Sequence, residues 1–160
     1  MTTMYRIDSL DARILLALDR DPSATIVALA QTLGVARNTV HARLRRLDDG
    51  EVLGPHSRRV DPRALGYDLT AFVELSIRQG NSEEARAALR RIPEIIEMFS
   101  TTGDSDLRLR VVARDTTDLH RITNLMLETP GVLRTSTSIS LLEEMPLRLT
   151  SLLQRTAEHP

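Results

Sequence analysis

Gly34 falls between two short segments whose apolar residues recur at helical spacing. Upstream, Val27, Leu29, Ala30 and Leu33 mark a helix over 26–33, with Thr25 as its cap. Gly34 supplies the left-handed turn that a β-carbon disfavours. Downstream, Val40, Leu44 and Leu47 fall at i, i+4 and i+7, which predicts a helix from Arg37 to about Asp49, stopped by Gly50. A further helix is predicted over 8–20. Asp8 is its N-cap, Asp11 stands three residues on in a capping-box position, and Pro22 ends the segment. Two short helices joined through a glycine turn, with a third ahead of them, make this part of the chain a helix-turn-helix candidate, although helix pairs with a glycine turn are common.

With Val40, Leu44 and Leu47 turned inward, Asn38, His41, Ala42 and Arg45 share the opposite face. Thr39, Arg43 and Arg46 then lie to one side and Arg37 to the other. Asn can bond adenine through two hydrogen bonds and Arg can bond guanine, while Ala and Thr methyls can meet a thymine methyl. Flanking Arg and Thr suit phosphates. The formal net charge is −1, yet residues 34–47 carry four arginines and no acid. A local basic stripe matters more to nucleic acid than the sum does. These residues therefore predict base reading by Asn38, His41 and Arg45 and phosphate contact by Arg37, Thr39, Arg43 and Arg46, with Arg58 and Arg59 as weaker candidates. A solvated basic helix face is the other reading of the same pattern.

Residues 52–66, VLGPHSRRVDPRALG, read as a short strand and linker punctuated by Gly54, Pro55, Pro62 and Gly66. Beyond it, strand and helix alternate. Strands are predicted over 69–78, 94–101, 107–114 and 132–142, with helices from Ser82 to Arg91 and from Asp115 or Thr116 to about Glu128. A short helix over 146–155 follows. The β-α-β-β-α-β order is the ferredoxin-like one.

Composition excludes several chemistries. The chain has no cysteine, which removes disulfides, thiolate zinc sites, iron–sulfur clusters and cysteine nucleophiles. Its only aromatics are Tyr5, Tyr67, Phe72 and Phe99, too few for base-stacking platforms. No apolar run approaches the roughly 20 residues of a membrane span, and the opening MTTMYRIDSLDAR has no signal-peptide core. A cytoplasmic protein without membrane contact is expected. His41 lies on the predicted DNA face, while His56, His120 and His159 are scattered, so no metal site is expected. Asp104 and Asp106 could serve as an acid–base pair or hold Mg²⁺, but Gly, Asp and Ser are also what a polar hairpin turn uses. Thr135-Ser136-Thr137-Ser138 is unusually polar for a strand and reads either as a solvated edge or as a cleft wall. No serine sits in a nucleophile constellation and there is no phosphate-binding glycine loop. No catalytic residue and no cofactor are predicted, and an enzyme is not expected.

At this point the chain resembles the Lrp/AsnC family, the leucine-responsive or feast/famine transcription regulators. IDSLDARILLALDRD is similar to the family's opening helix, and ALAQTLGVARNTVHARLRRLDDGEVLG to its helix-turn-helix and exit strand. VDPRALGYDLTAFVELSI resembles the linker and first effector-domain strand, GDSDLRLRV the Gly-Asp-x-Asp turn, and LETPGVLRTSTSISL the closing helix end and last strand. The resemblance implies an α+β chain of two domains. A winged-helix-like DNA reader spans 1–53, a linker strand 54–66, and a ferredoxin-like effector-binding and oligomerisation domain 67–160. It implies a sequence-specific regulator of double-stranded DNA with a pseudo-palindromic operator. It further implies homodimers that assemble into higher oligomers, octamers among them. An amino acid or similar small molecule is the implied effector, held by Gly103, Asp104 and Asp106 with Thr137, Ser138 and Ser140 facing them. Three places depart from the family's habit: Ala36 stands where a Ser usually caps the recognition helix, Ser105 stands where an aromatic is often found, and Glu144-Met145 replaces the family's basic residue after the last strand.

Overall fold

The structure, a computed structural model, describes residues 5–158 except 51, 79 and 81. His159 lies outside the described residues, as does the His56 side chain. The chain divides into two compact units. One takes in the chain up to Arg58 together with the segment from Met145 onward, and the other spans Arg59–Glu144.

The first unit begins with α1 (Ser9–Arg20), α2 (Ile26–Leu33) and α3 (Arg37–Asp49). Each starts and stops where its local chemistry directs. The Asp8 carboxylate accepts from the Leu10 and Asp11 amides, and Asp11 returns the bond to the Asp8 amide, completing the capping box. Thr25 Oγ1 accepts from the Ala28 amide to cap α2. Gly34 closes α2 at φ 68°, in the left-handed region, and the Val35 amide reaches back to the Ala30 carbonyl. Leu29, Ala30 and Val40 form a small core against Ala17, Leu18, Ala24, Ile26, Val35 and Leu44.

The terminal helix α6 (Thr150–Glu158) packs on α1, so it belongs to this unit rather than to the second domain in which a 67–160 boundary places it. Its half-buried face is Leu153, Thr156 and Ala157, at i, i+3 and i+4. The helix also begins four residues later than its sequence predicts. A short amphipathic stripe predicts a helix but not the surface that covers it.

The second unit is built from β1 (Leu69–Ile77), α4 (Ser82–Leu89), β2 (Ile95–Ser100), β3 (Leu107–Ala113), α5 (Thr116–Leu127) and β4 (Val132–Ile139). The sheet order is β2-β3-β1-β4, with every pair antiparallel. This is the expected ferredoxin-like order, with both helices crossing over one face. Ala71, Val73, Leu75 and Ile77 alternate inward along β1, and Leu107, Leu109 and Val111 do the same on β3. They bury against Ala85, Leu89, Leu119, Ile122 and Met126 of the two helices. Full burial of each Leu or Ile contributes about 1.5–3 kcal/mol.

Asp118 ties this unit together at its rim. Its carboxylate accepts from the Arg114 amide and guanidinium at the end of β3, and from Arg121, which also reaches Glu94 at 2.6 Å. Hydrogen bonds from the Arg114 side chain and amide, and then from Arg121, hold the Asp118 carboxyl well below the usual carboxylate range.

The predicted strand after α3 is not present among the described residues. The described residues of 52–66 form two short 3-10 turns, His56–Arg59 and Pro62–Leu65. Pro55 and Pro62 lack amide donors, no neighbouring strand pairs with the segment, and Asp61 caps the second turn by accepting from the Arg63 amide. Among the described residues there is accordingly no wing.

Candidate nucleic-acid interface and ligand site

α3 carries the predicted reading face. Val40 and Leu47 are fully buried and Leu44 packs beside them, which turns Asn38, His41, Ala42 and Arg45 outward as one exposed ridge. Arg37 is exposed at the first turn and Thr39 is half-buried beside it. Ala36 caps the helix with no side-chain hydrogen bond, so the first amides of α3 lack a side-chain acceptor. No acid stands between Arg37 and Leu47. The ridge therefore offers donors, an amide and a methyl in the pattern a groove reader needs.

Two of the expected phosphate residues are placed differently from each other. Arg46 is exposed, with its guanidinium over the Tyr5 ring at 4.4 Å from the centroid. Arg43 is turned into the protein, where it pairs with Asp8 and with Asp11 at 3.2 Å. The phosphate role expected for Arg43 does not fit this geometry, because its guanidinium is already engaged by two carboxylates. Asp11 explains why. It is fully buried in the apolar face of α1, and an ionised carboxylate there must have partners. Its partners are the Tyr5 hydroxyl, which donates at 2.6 Å, the Asp8 amide at 3.1 Å and Arg43. The Arg43 guanidinium is held even more firmly in its charged form, chiefly by its bond to Asp8. Asp8 itself is pushed up by partial burial, but the Asp11 amide and Arg43 outweigh that and its carboxyl lies below its ordinary value. The hydrogen bond to Asp11, with burial, raises the Tyr5 hydroxyl above its ordinary value.

This Tyr5–Asp11–Arg43–Asp8 network is the functional feature that sequence reasoning missed. One signal was available: Asp11 sits within the apolar face of its own helix, next to Ala12 and one turn from Ile14 and Leu15. Spacing could not name its partners, since Arg43 comes from 32 residues away.

The predicted ligand residues form two groups that one chain does not bring together. Gly103 adopts φ 114°, and the turn it opens is fastened to the end of β1. The Asp106 amide donates to the Leu75 carbonyl at 2.8 Å, and its carboxylate accepts from the Ile77 amide at 2.7 Å. The Ser76 hydroxyl donates to the Asp104 carbonyl at 3.4 Å. Thr137 and Ser138 lie opposite Val73 and Phe72, and the Ser140 amide donates to the Thr70 carbonyl. They are displaced from the turn by two to five residues of β1, roughly 7 to 17 Å along the strand. They also flank β1 on the side away from β3. Alternation points Thr137 to the helix-covered face and Ser138 to the opposite one. The β4 residue level with the turn is Arg134, paired with Ser76.

Two family models match the chain, the AsnC-type helix-turn-helix domain over residues 7–48 and the Lrp/AsnC ligand binding domain over 70–148. The HTH-type transcriptional regulator FL11 of Pyrococcus horikoshii is 32% identical over 135 residues, covering 84% of this chain and 89% of the relative. The chain belongs to the Lrp/AsnC family of transcriptional regulators. Solved structures of the family share the fold. AsnC of E. coli superposes with a TM-score of 0.82 at 27% identity, over 91% of this chain and 99% of AsnC. A transcriptional regulator of Neisseria meningitidis, solved with L-methionine, gives 0.78 at 26% identity, over 92% and 99%. The Pyrococcus and Neisseria relatives are both named as transcriptional regulators. Among the described residues of this Lrp/AsnC chain, no group of three or more His, Asp or Glu could hold a metal ion, and no helix is long and apolar enough to cross a membrane. All three residues assigned to base reading lie inside the helix-turn-helix match, and both groups of predicted ligand residues lie inside the ligand-binding match.

Proposed function

We propose that this Lrp/AsnC regulator reads a pseudo-palindromic operator with α3. Asn38, His41 and Arg45 contact base edges, and Arg37, Thr39 and Arg46 grip phosphates. The single observation that carries the reading is the exposed, acid-free ridge of Asn38, His41, Ala42 and Arg45. Arg43 serves by fixing α3 to α1 through Asp8 and Asp11. A two-fold dimer presents two such helices to half-sites one helical turn apart, or a multiple of it. Exposed Leu141, Leu142, Met145 and Leu147 support assembly into a homodimer and higher oligomer, because a lone soluble chain rarely leaves so many large apolar groups in water.

The regulated signal is an amino acid or a similar small zwitterion. The support is the ligand-binding match and the L-methionine held by the Neisseria relative. Since one chain separates Gly103, Asp104 and Asp106 from Thr137, Ser138 and Ser140, the complete site is formed between subunits. An operator-binding protein of this kind works in the cytoplasm.

Fluorescence anisotropy tests the DNA reading. The protein is titrated with a duplex from upstream of its own gene and with a scrambled duplex, at several salt concentrations. The expected preference is about 10³-fold or more at physiological salt. Equal and steeply salt-sensitive binding to both duplexes would overturn base reading and leave only phosphate grip.

A further inference from the structure

We infer that Tyr5 is a positioning residue for DNA binding: its ring seats the Arg46 guanidinium and fixes where that cation meets the phosphate backbone. The inference rests on the proposal that Arg46 contacts phosphate. Three observations place Tyr5 in this role. The Arg46 guanidinium lies over the ring at 4.4 Å while remaining exposed. The hydroxyl at the far end of the ring donates to buried Asp11 at 2.6 Å, with Arg43 at 3.5 Å, so the ring itself is anchored. The near end is seated against Gly50, where an added β-carbon would stand 2.8 Å from the Tyr5 β-carbon. Tyr5 is thus clamped at both ends and presents one face to one cation.

A cation over an aromatic face is attracted to the ring, and a guanidinium so placed still has N–H groups to donate. Arginine otherwise loses much rotamer freedom when it binds a phosphate. Holding it beforehand on a fixed ring removes part of that loss. Tyr5 lies just ahead of the helix-turn-helix match, which begins at residue 7.

The test uses the full-length protein and a mixed-sequence duplex, since phosphate grip needs no operator. Tyr5→Leu, Tyr5→Phe, Arg46→Ala and the Tyr5→Leu/Arg46→Ala double variant are compared by anisotropy over a salt series. Arg46→Ala is expected to flatten the log affinity–log salt slope by about 0.9. Tyr5→Leu is expected to weaken binding about three- to tenfold when Arg46 is present and to have no effect in the Arg46→Ala background. Tyr5→Phe keeps the ring but loses its hydroxyl anchor to Asp11, and is expected to bind between the parent and Tyr5→Leu. Asp11 retains the Asp8 amide and Arg43 in these variants, so the unit has partners for its buried charge, and a thermal melt verifies folding. Equal weakening by Tyr5→Leu with and without Arg46, or no weakening at all, overturns the inference. An unchanged slope in Arg46→Ala overturns the phosphate assignment beneath it, and is distinguishable because that variant leaves Tyr5 intact.

Discussion

Replacing Arg43 by Met separates a structural cation from a DNA-binding one. Arg43 pairs with Asp8 and with fully buried Asp11, and its own side chain is only 23% exposed. Removing one partner of a buried ion pair costs about 3–5 kcal/mol, because a charge is left uncompensated. Here Asp11 keeps the Tyr5 hydroxyl and the Asp8 amide, and Met retains most of the packing, so about 2–3 kcal/mol is expected. Hydrogen exchange reads this locally, which matters in a chain of two units that need not unfold together. Amides of α1 and α3 should exchange about 30- to 150-fold faster, at roughly 1.4 kcal/mol per tenfold. Adding Asp11→Leu to Arg43→Met should recover part of the loss, since the orphaned carboxylate is gone. DNA binding at saturating folded protein should keep its salt slope. Unchanged exchange in Arg43→Met, together with a slope flattened by about 0.9, would refute the reasoning and return Arg43 to the phosphate backbone.

Three further outcomes follow from the geometry. Ala36→Ser supplies the missing acceptor at the start of α3 and should stabilise the first unit by about 0.5–2 kcal/mol in urea unfolding; a loss of stability would mean that its backbone cannot present a cap. The folded chain holds Asp118 well below its ordinary value of 3.8, so its contribution is complete above that value and vanishes as pH falls through the lowered one. The melting temperature should therefore drop less steeply below about pH 4 in Asp118→Asn than in the parent, with the remaining slope carried in part by Asp8 and by Asp61, whose carboxyl the Arg63 side chain lowers to about 2. Asp104→Ala removes an exposed carboxylate whose side chain bonds none of the described residues; isothermal calorimetry with amino acids should show lost binding while the affinity for DNA persists, and unchanged binding would remove Asp104 from the ligand site.

Much of the first unit was legible because its signals are local. Thr25, Gly34 and Gly50 set the ends of α2 and α3 by rules that act within one turn, and the structure places α3 at Arg37–Asp49 as the spacing predicts. The outward ridge of α3 followed from the i, i+4, i+7 spacing of Val40, Leu44 and Leu47 alone. The ferredoxin-like order was legible from alternation, since β1 and β3 carry inward Val and Leu at every second residue. What was not legible depends on contacts distant in sequence. Exposed arginines of α3 look alike in a list, yet Arg43 turns inward because α1 buries an acid there. The ligand residues looked like one constellation in order along the chain. The antiparallel register slides Ser140 to the far end of β1 from Asp106, and no local pattern reveals that shift. The strand expected near residue 52 failed for the same reason, because a strand exists only with a partner.

The most direct test of the central claim compares wild type and Arg45→Ala on a set of duplexes carrying single-base changes through the operator. If α3 reads bases, the wild type discriminates by about 1–3 kcal/mol at the position Arg45 contacts, and Arg45→Ala loses discrimination there while keeping it elsewhere. Equal weakening of Arg45→Ala on every duplex, with discrimination intact at all positions, would contradict base reading by this helix.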